Sequence, residues 1–279
     1  MATSRDTTSS EPPLVGFEID KRKILSALLD TSEQKLSIVN LFGGRGVGKT
    51  FLAKNIYTSA EVQRHFDVQV WLPGANCHSL EEAEKCTREQ LSIEDEADIS
   101  NFLRGKRYCV VLDDFNYGSR LASLWHSIIE RLPDNSNGSR VLVTRDYDII
   151  ILPGRSVIDS LPLLQIKVYC RSNKQGLEIL LKEAFPKDPL EGCPADTVDA
   201  LVMECQGLPW PLRFLGGLLS ERPWNEVLGR IEAIKAAGKR FVDFAKSYRF
   251  LPSHEHRAAF LYFLTFPEDA EIHAKSLAR

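Results

Sequence analysis

The chain has 279 residues, 43% of them hydrophobic and 26% charged, with 35 basic against 38 acidic side chains and a formal net charge of −3. This balance is ordinary for a globular protein and gives no electrostatic reason for general binding to nucleic acid or to an anionic membrane. The longest purely apolar run is 258–264, far short of the roughly 20 residues of a membrane-spanning helix.

Residues 1–14, rich in Ser, Thr and Pro, are expected to form a flexible tail. They lack the apolar core of a signal peptide, and Ala2 replaces the glycine that N-myristoylation requires. Ile24, Leu25, Leu28 and Leu29 repeat at helical spacing behind Asp20, which reads as the helix cap. Residues 36–42 then read as a buried strand running into a glycine-rich turn, with a helix over 51–59. Further strands are predicted at 68–72, 108–112, 141–143 and 156–158. Helices are predicted at 79–103, with a break near 93–98, and at 119–130, closed by the turn-forming stretch 133–138. After about residue 160 the strand signal fades, and 177–185, 197–205, 211–219 and 224–237 read as helices. The pattern predicts an α/β fold, a parallel sheet wrapped by helices, followed by an all-α region.

The six cysteines form no CxxC pair and share no metal-ligand spacing with the scattered histidines, so they read as reduced thiols. His254 and His256 read as surface residues.

Gly43-Gly44-Arg45-Gly46-Val47-Gly48-Lys49-Thr50 matches the phosphate-loop pattern GxxxxGK[ST] in full, between a predicted strand and a predicted helix. The glycines let backbone amides turn inward on phosphate oxygens, and the helix that opens here adds its positive end. Lys49 supplies a point charge, and the Thr50 hydroxyl can ligate Mg²⁺. Residues 108–114 form an apolar strand ending in Asp113 and Asp114, as a Walker B element does. Asp113 is the candidate magnesium partner. Asp114 is the candidate for orienting or deprotonating water, with the N-cap of a following helix as the alternative reading. A further strand ends in Thr144 and Arg145. Placed between the other two strands, Arg145 reaches the terminal phosphate; on an edge strand it is a surface arginine.

With four other motifs, these three elements resemble the NB-ARC module of plant intracellular immune receptors, the nucleotide-binding leucine-rich-repeat proteins. Val15-Gly16-Phe17-Glu18 is similar to the family's VGxE opening, and Phe66-Asp67 with Trp71 to its FDxxxW segment. Gly138-Ser139-Arg140 through Thr144-Arg145 is similar to GSR…TTR, and Cys205-Gln206-Gly207-Leu208-Pro209 to CxGLPL. Ser247-Tyr248, Leu251-Pro252, Phe260-Leu261-Tyr262 and Phe266-Pro267-Glu268-Asp269 resemble a later block found in coiled-coil-type receptors. The chain departs from the pattern at Phe17, Asn116, Val143 and Trp210, and stops at Arg279, before the family's MHD motif.

The resemblance implies a P-loop nucleotide-binding domain over 15–156, a helical ARC1 subdomain over 157–232 and a partial winged-helix ARC2 subdomain over 233–279. It implies ADP or ATP with Mg²⁺ as ligands, held by Val15, Gly16, Gly43 to Thr50, Phe51, Arg145 and Pro209, with Pro209 packing on the adenine or ribose. It implies a switch that is ADP-bound at rest and ATP-bound when active, a slow ATPase at most, acting in the cytoplasm. The implied partners are other receptor or signalling proteins, or further copies of the chain. The competing expectation is a truncated, catalytically inert receptor that serves as an interaction module.

Overall fold

The computed structural model describes residues 14–94, 98–115, 121–147, 160–184, 195–221, 224–236, 240–243 and 245. The strand expected at 156–158 and the motif block at 247–269 lie outside the described residues. Two units are distinguished: Met1–Gly43 with Lys49–Val168, and Gly44–Gly48 with Tyr169–Arg279.

The first unit opens with helix α1 (Glu18–Leu28), whose Ile24 and Leu28 are buried one turn apart. Asp20 lies inside its first turn, and the capping position falls to Phe17 with no side-chain cap. This corrects the expected cap. Two acidic residues in the first turn, Glu18 and Asp20, instead complement the helix dipole. Strand β1 (Ser37–Phe42) leads through the glycine loop into α2 (Lys49–Tyr57). The short α3 (Ala60–His65) and strand β2 (Val68–Pro73) follow. Helix α4 (Leu80–Leu91) is capped by Ser79, whose side chain accepts from the Glu82 amide, while Glu82 reaches back to the amide of His78 at 2.6 Å. Helix α5 (Ile99–Leu103) is capped by the Asp98 carboxylate. Strand β3 (Tyr108–Asp113), helix α6 (Leu121–Glu130), strand β4 (Arg140–Arg145) and strand β5 (Leu163–Lys167) complete the unit.

The sheet order is β2-β3-β4-β1-β5, and every pairing is parallel. β5 was not expected. It carries the sheet past residue 156, and the first unit runs on to Val168. β3 and β4 are buried along their whole length, as strands covered on both faces must be. One face presents Ile38, Val110, Leu112, Val141 and Val143 to Leu103, Trp125, Ile128 and Ile129. Helices α1 and α2 pack on the sheet from β1, β3 and β4, with Leu52, Ala53 and Ile56 fully buried. Each large side chain so removed from water contributes about 1.5–3 kcal/mol.

Side chains also tie down the sheet's margins. At the outer edge of β2, the Gln90 amide accepts from Trp71 N and donates to Trp71 O, both at 2.8 Å, and so pairs with that residue as a neighbouring strand would. At the amino-terminal end, the predicted turn at 133–138 becomes a clamp. Asp134 accepts from Leu36 N at 3.0 Å, and Asn135 donates to Leu103 O at 2.7 Å and Lys106 O at 2.8 Å.

The second unit contains helices α7 (Asn173–Ala184), α8 (Ala195–Glu204), α9 (Pro209–Glu221) and α10 (Trp224–Ala236). Its core includes Leu180, Leu201, Val202, Leu212, Leu215 and Ile231, each buried. The turn between α8 and α9 requires Gly207. Its φ is +66°, and a Cβ there would stand 2.2 Å from Arg171 O. The same approach lets Arg171 N donate to Gly207 O at 2.7 Å.

Candidate functional site

β1, β4 and β3 are neighbours in the sheet, and their carboxyl ends bring three sequence-distant segments together. The first is the loop that leaves β1. Gly43 N donates to Arg145 O at 3.3 Å, which anchors the start of the loop to β4. Gly48 has φ +101°, a conformation that side-chain-bearing residues rarely adopt. Among the other loop positions, Val47 is buried, Gly46 and Gly48 are half-buried, and Gly44 and Arg45 are exposed. Lys49 begins α2 and is itself buried. Its Nζ donates to Gly43 O at 2.8 Å and to Asp146 Oδ1 at 3.1 Å.

The second segment is the end of β3. The buried Asp113 carboxylate accepts at a single oxygen from Thr50 Oγ1 at 2.9 Å and from Thr144 Oγ1 at 2.6 Å. Thr144 Oγ1 in turn accepts from Asp114 N at 2.8 Å. A continuous chain of bonds therefore runs from the Asp114 amide through Thr144 and Asp113 to Thr50. Burial pushes the Asp113 carboxyl above its ordinary value; the Thr144 and Thr50 hydroxyls pull it down, Asp114 pushes it up, and Lys49 pulls it down. Asp114 is exposed at φ +64°, so it stands in a turn.

The third segment is the end of β4. Of the two placements left open by the sequence, β4 takes the one between β1 and β3. Arg145 is fully buried, with its guanidinium 4.9 Å from the centre of the Trp125 ring, close enough for a cation–π contact.

Near the start of α1, Val15 is buried and Gly16 N donates to Glu18 Oε1 at 3.2 Å. Phe17 packs against Phe51, with ring centroids 5.8 Å apart. That contact gives Phe17, which departs from the family pattern, a place in the core. Pro209 is buried at the first position of α9, in the second unit, where its fixed φ and missing N–H suit a helix start.

Sequence reasoning missed Asp146 and Trp125. Asp146 is polar and follows a strand, which is unremarkable by itself. Only the β1–β4 register, with Phe42 level with Arg145, brings it to the loop. A cavity of about 450 Å³ elsewhere in this unit, beneath α4, α5 and α6, is floored by Val70, Leu72, Val110 and Ile128. On its charged rim Glu84 pairs with Arg88 at 3.1 Å and with Arg131 at 3.0 Å. Among the described residues, no group of three or more His, Cys, Asp or Glu side chains could hold a metal, and no helix is long and apolar enough to cross a membrane.

Comparison with known proteins agrees with this geometry. The family model of the NB-ARC domain matches residues 17–188. The disease resistance protein RPP13 of Arabidopsis thaliana is 30% identical, over 97% of this chain and 34% of its own length. RPM1 of the same plant is 27% identical, over 97% of this chain and 31% of its own length. The disease resistance protein RGA4 of Oryza sativa subsp. japonica is 27% identical, over 100% of this chain and 28% of its own length. The chain thus spans about a third of these relatives. Among solved structures, the Aeropyrum pernix ORC1 protein in complex with DNA matches with a TM-score of 0.56 at 16% identity, over 95% of this chain and 76% of that one. The ORC2 protein of that organism, in ADPNP–ADP complexes, matches with a TM-score of 0.54 at 14% identity, over 98% and 73%. These two likenesses speak for the fold alone. The family match takes in the loop, the Asp113 strand and the Arg145 strand together, and on it this chain belongs to the NB-ARC family.

Proposed function

We propose that the chain is the nucleotide-binding switch module of a plant disease-resistance receptor, taking ADP or ATP with Mg²⁺. One observation carries the reading. A complete phosphate-loop motif, the Lys49 ammonium and the Thr50–Asp113 pair converge at the carboxyl ends of β1, β3 and β4. Ligands of open parallel sheets bind at that end.

The residues fit the proposed ligands. The left-handed Gly48 lets the chain turn its amides toward an anion at the start of α2, and Lys49 adds charge at the same place. Thr50 Oγ1 and Asp113 Oδ1, 2.9 Å apart, are hard oxygen donors of the kind magnesium takes together with phosphates and waters. Bound there, the ion would offset phosphate charge. Asp113 and Thr50 would hold it, Thr144 would keep the Asp113 carboxylate oriented, and Arg145 would sense the terminal phosphate. Asp114, exposed beside them, is assigned the orienting of water. A switch depends on the bound nucleotide persisting, so turnover is proposed to be slow or absent.

The rest of the reading follows the family and the relatives' printed names. The helical region through about residue 232, which the sequence reading began at 157 and which is here taken from Tyr169, is assigned as ARC1, and the remainder as a partial ARC2. Receptor or signalling proteins, further copies of this chain and a cytoplasmic setting complete the proposal.

Calorimetric titration with ADP tests it. Lys49→Ala is expected to weaken binding by about a hundredfold. Unchanged ADP binding by that variant would defeat the reading. Chromatography of the nucleotide released on denaturing the purified protein would show which form it retains.

A further inference from the structure

The Lys49 charge is nearly enclosed, and so is the carboxylate that faces it. The two side chains are each 8% exposed, and Nζ lies 3.1 Å from Asp146 Oδ1. Gly43 O accepts a second bond from the same nitrogen at 2.8 Å. An ammonium has three donors, so carboxylate and carbonyl together engage two of them. Asp113 also acts electrostatically on Lys49, but the carboxylate hydrogen-bonded to the ammonium is that of Asp146. Asp146 is therefore the direct counter-ion of the phosphate-loop lysine. It comes from the residue after β4, held in place by the register that sets Arg145 level with Phe42.

We infer that Asp146 is a resident counter-ion that phosphate must displace, so that it competes with nucleotide for Lys49. This rests on reading the loop as a phosphate site. A carboxylate oxygen and a phosphate oxygen make the same demand of an ammonium, a charge-assisted N–H bond. Two anions on one partly dehydrated cation also repel each other, more strongly as the ligand's charge rises. In the nucleotide-free protein the same carboxylate spares Lys49 from being a buried, unpaired charge. Asp146 thus stabilises the free state and weakens the ligand by the same contact, because whatever favours the free form opposes binding.

The test titrates ADP into wild type, Asp146→Asn and Asp146→Ser, and melts each protein without nucleotide. Asp146→Asn is expected to bind ADP about tenfold more tightly, with Asp146→Ser moving the same way. Both variants should melt lower than wild type when nucleotide-free. Adding Lys49→Met to Asp146→Asn should recover part of that loss, since it removes the stranded charge; a merely structural role for Asp146 would not produce the recovery. Wild type that binds ADP while neither variant binds tighter would overturn the counter-ion role alone, as would a double variant no more stable than Asp146→Asn. Wild type that binds no ADP would overturn the loop reading and this inference with it.

Discussion

Arg140 and Arg145 stand at opposite ends of the same strand, both fully buried, in chemically unlike surroundings. Arg140 donates to main-chain carbonyls: Ala27 at 3.3 Å, Asp30 at 2.6 Å, Glu33 at 2.9 Å, Lys35 at 3.2 Å and Ser139 at 3.0 Å. It fastens the connection between α1 and β1 to the foot of the sheet. Beside Arg145 lies the Trp125 ring, and on the same rim side chains bond to one another, Thr144 to Asp113 and Lys49 to Asp146. Backbone carbonyls cannot leave, so the lower end is fixed once the chain folds. Hydroxyls, carboxylates and an ammonium can exchange partners with a ligand, so the upper end keeps its options. Burial does not separate the two arginines; the kind of partner does.

The contrast can be broken by experiment, and the largest effect should come from the lower end. Arg140→Leu strands several carbonyls and is expected to lose about 3 kcal/mol of stability or more, read as a lower urea midpoint. The fraction that still folds should bind ADP within about threefold of wild type. A large affinity change in that fraction would erase the division between the two ends. Arg145→Leu should invert the pattern. Its stability loss should be smaller than that of Arg140→Leu, because the contact removed is a ring face rather than a set of main-chain acceptors. Its affinity for a non-hydrolysable triphosphate should fall about tenfold, and more than its affinity for ADP. Equal losses for both nucleotides would remove Arg145 from the terminal-phosphate role.

The smallest effect should come from Asp113. Its carboxyl is raised in the folded protein, so the folded chain holds that proton more tightly than the unfolded chain does. The stability linked to the proton is fully present below about pH 4, the ordinary carboxylate value, and is lost as pH rises through the folded value. Near neutrality the ionised group therefore costs stability. Asp113→Asn, which keeps an oxygen to accept from Thr50 and Thr144, should melt about 2–4 °C higher than wild type at pH 7. That gain should shrink as pH falls toward 4. A gain that persists unchanged in acid would rule out ionisation as its cause.

Much of the upper end was legible in the sequence because its signals are local. The apolar run before Gly43, the spacing of Gly43, Gly48, Lys49 and Thr50, and the carboxylates closing β3 each sit within a few residues. What escaped notice depends on register or on weak patterning. Lys49 and Asp146 meet across 97 positions, a contact that only the order of β1 and β4 creates. β5 escaped because it is an edge strand in which Ile166 alone is buried, with Leu164 left 44% exposed, so no apolar alternation marks it. The buried Asn40 looks like a flaw in the β1 pattern, yet it donates to Gln165 at 3.1 Å, across to that same strand. Trp125 belongs to an evidently apolar helix, but nothing in a helical stripe says that one ring will lie beside an arginine.

The Gln90 amide has a consequence for assembly. Open sheets are prone to recruit foreign strands at their margins, and the free side of Trp71 already has both its main-chain groups spoken for. A neighbouring molecule arriving edge-on would have to evict a side chain before it could extend the ladder. Any higher-order complex of this chain is thereby steered toward faces and loops, and away from continuous β-stacking along that border.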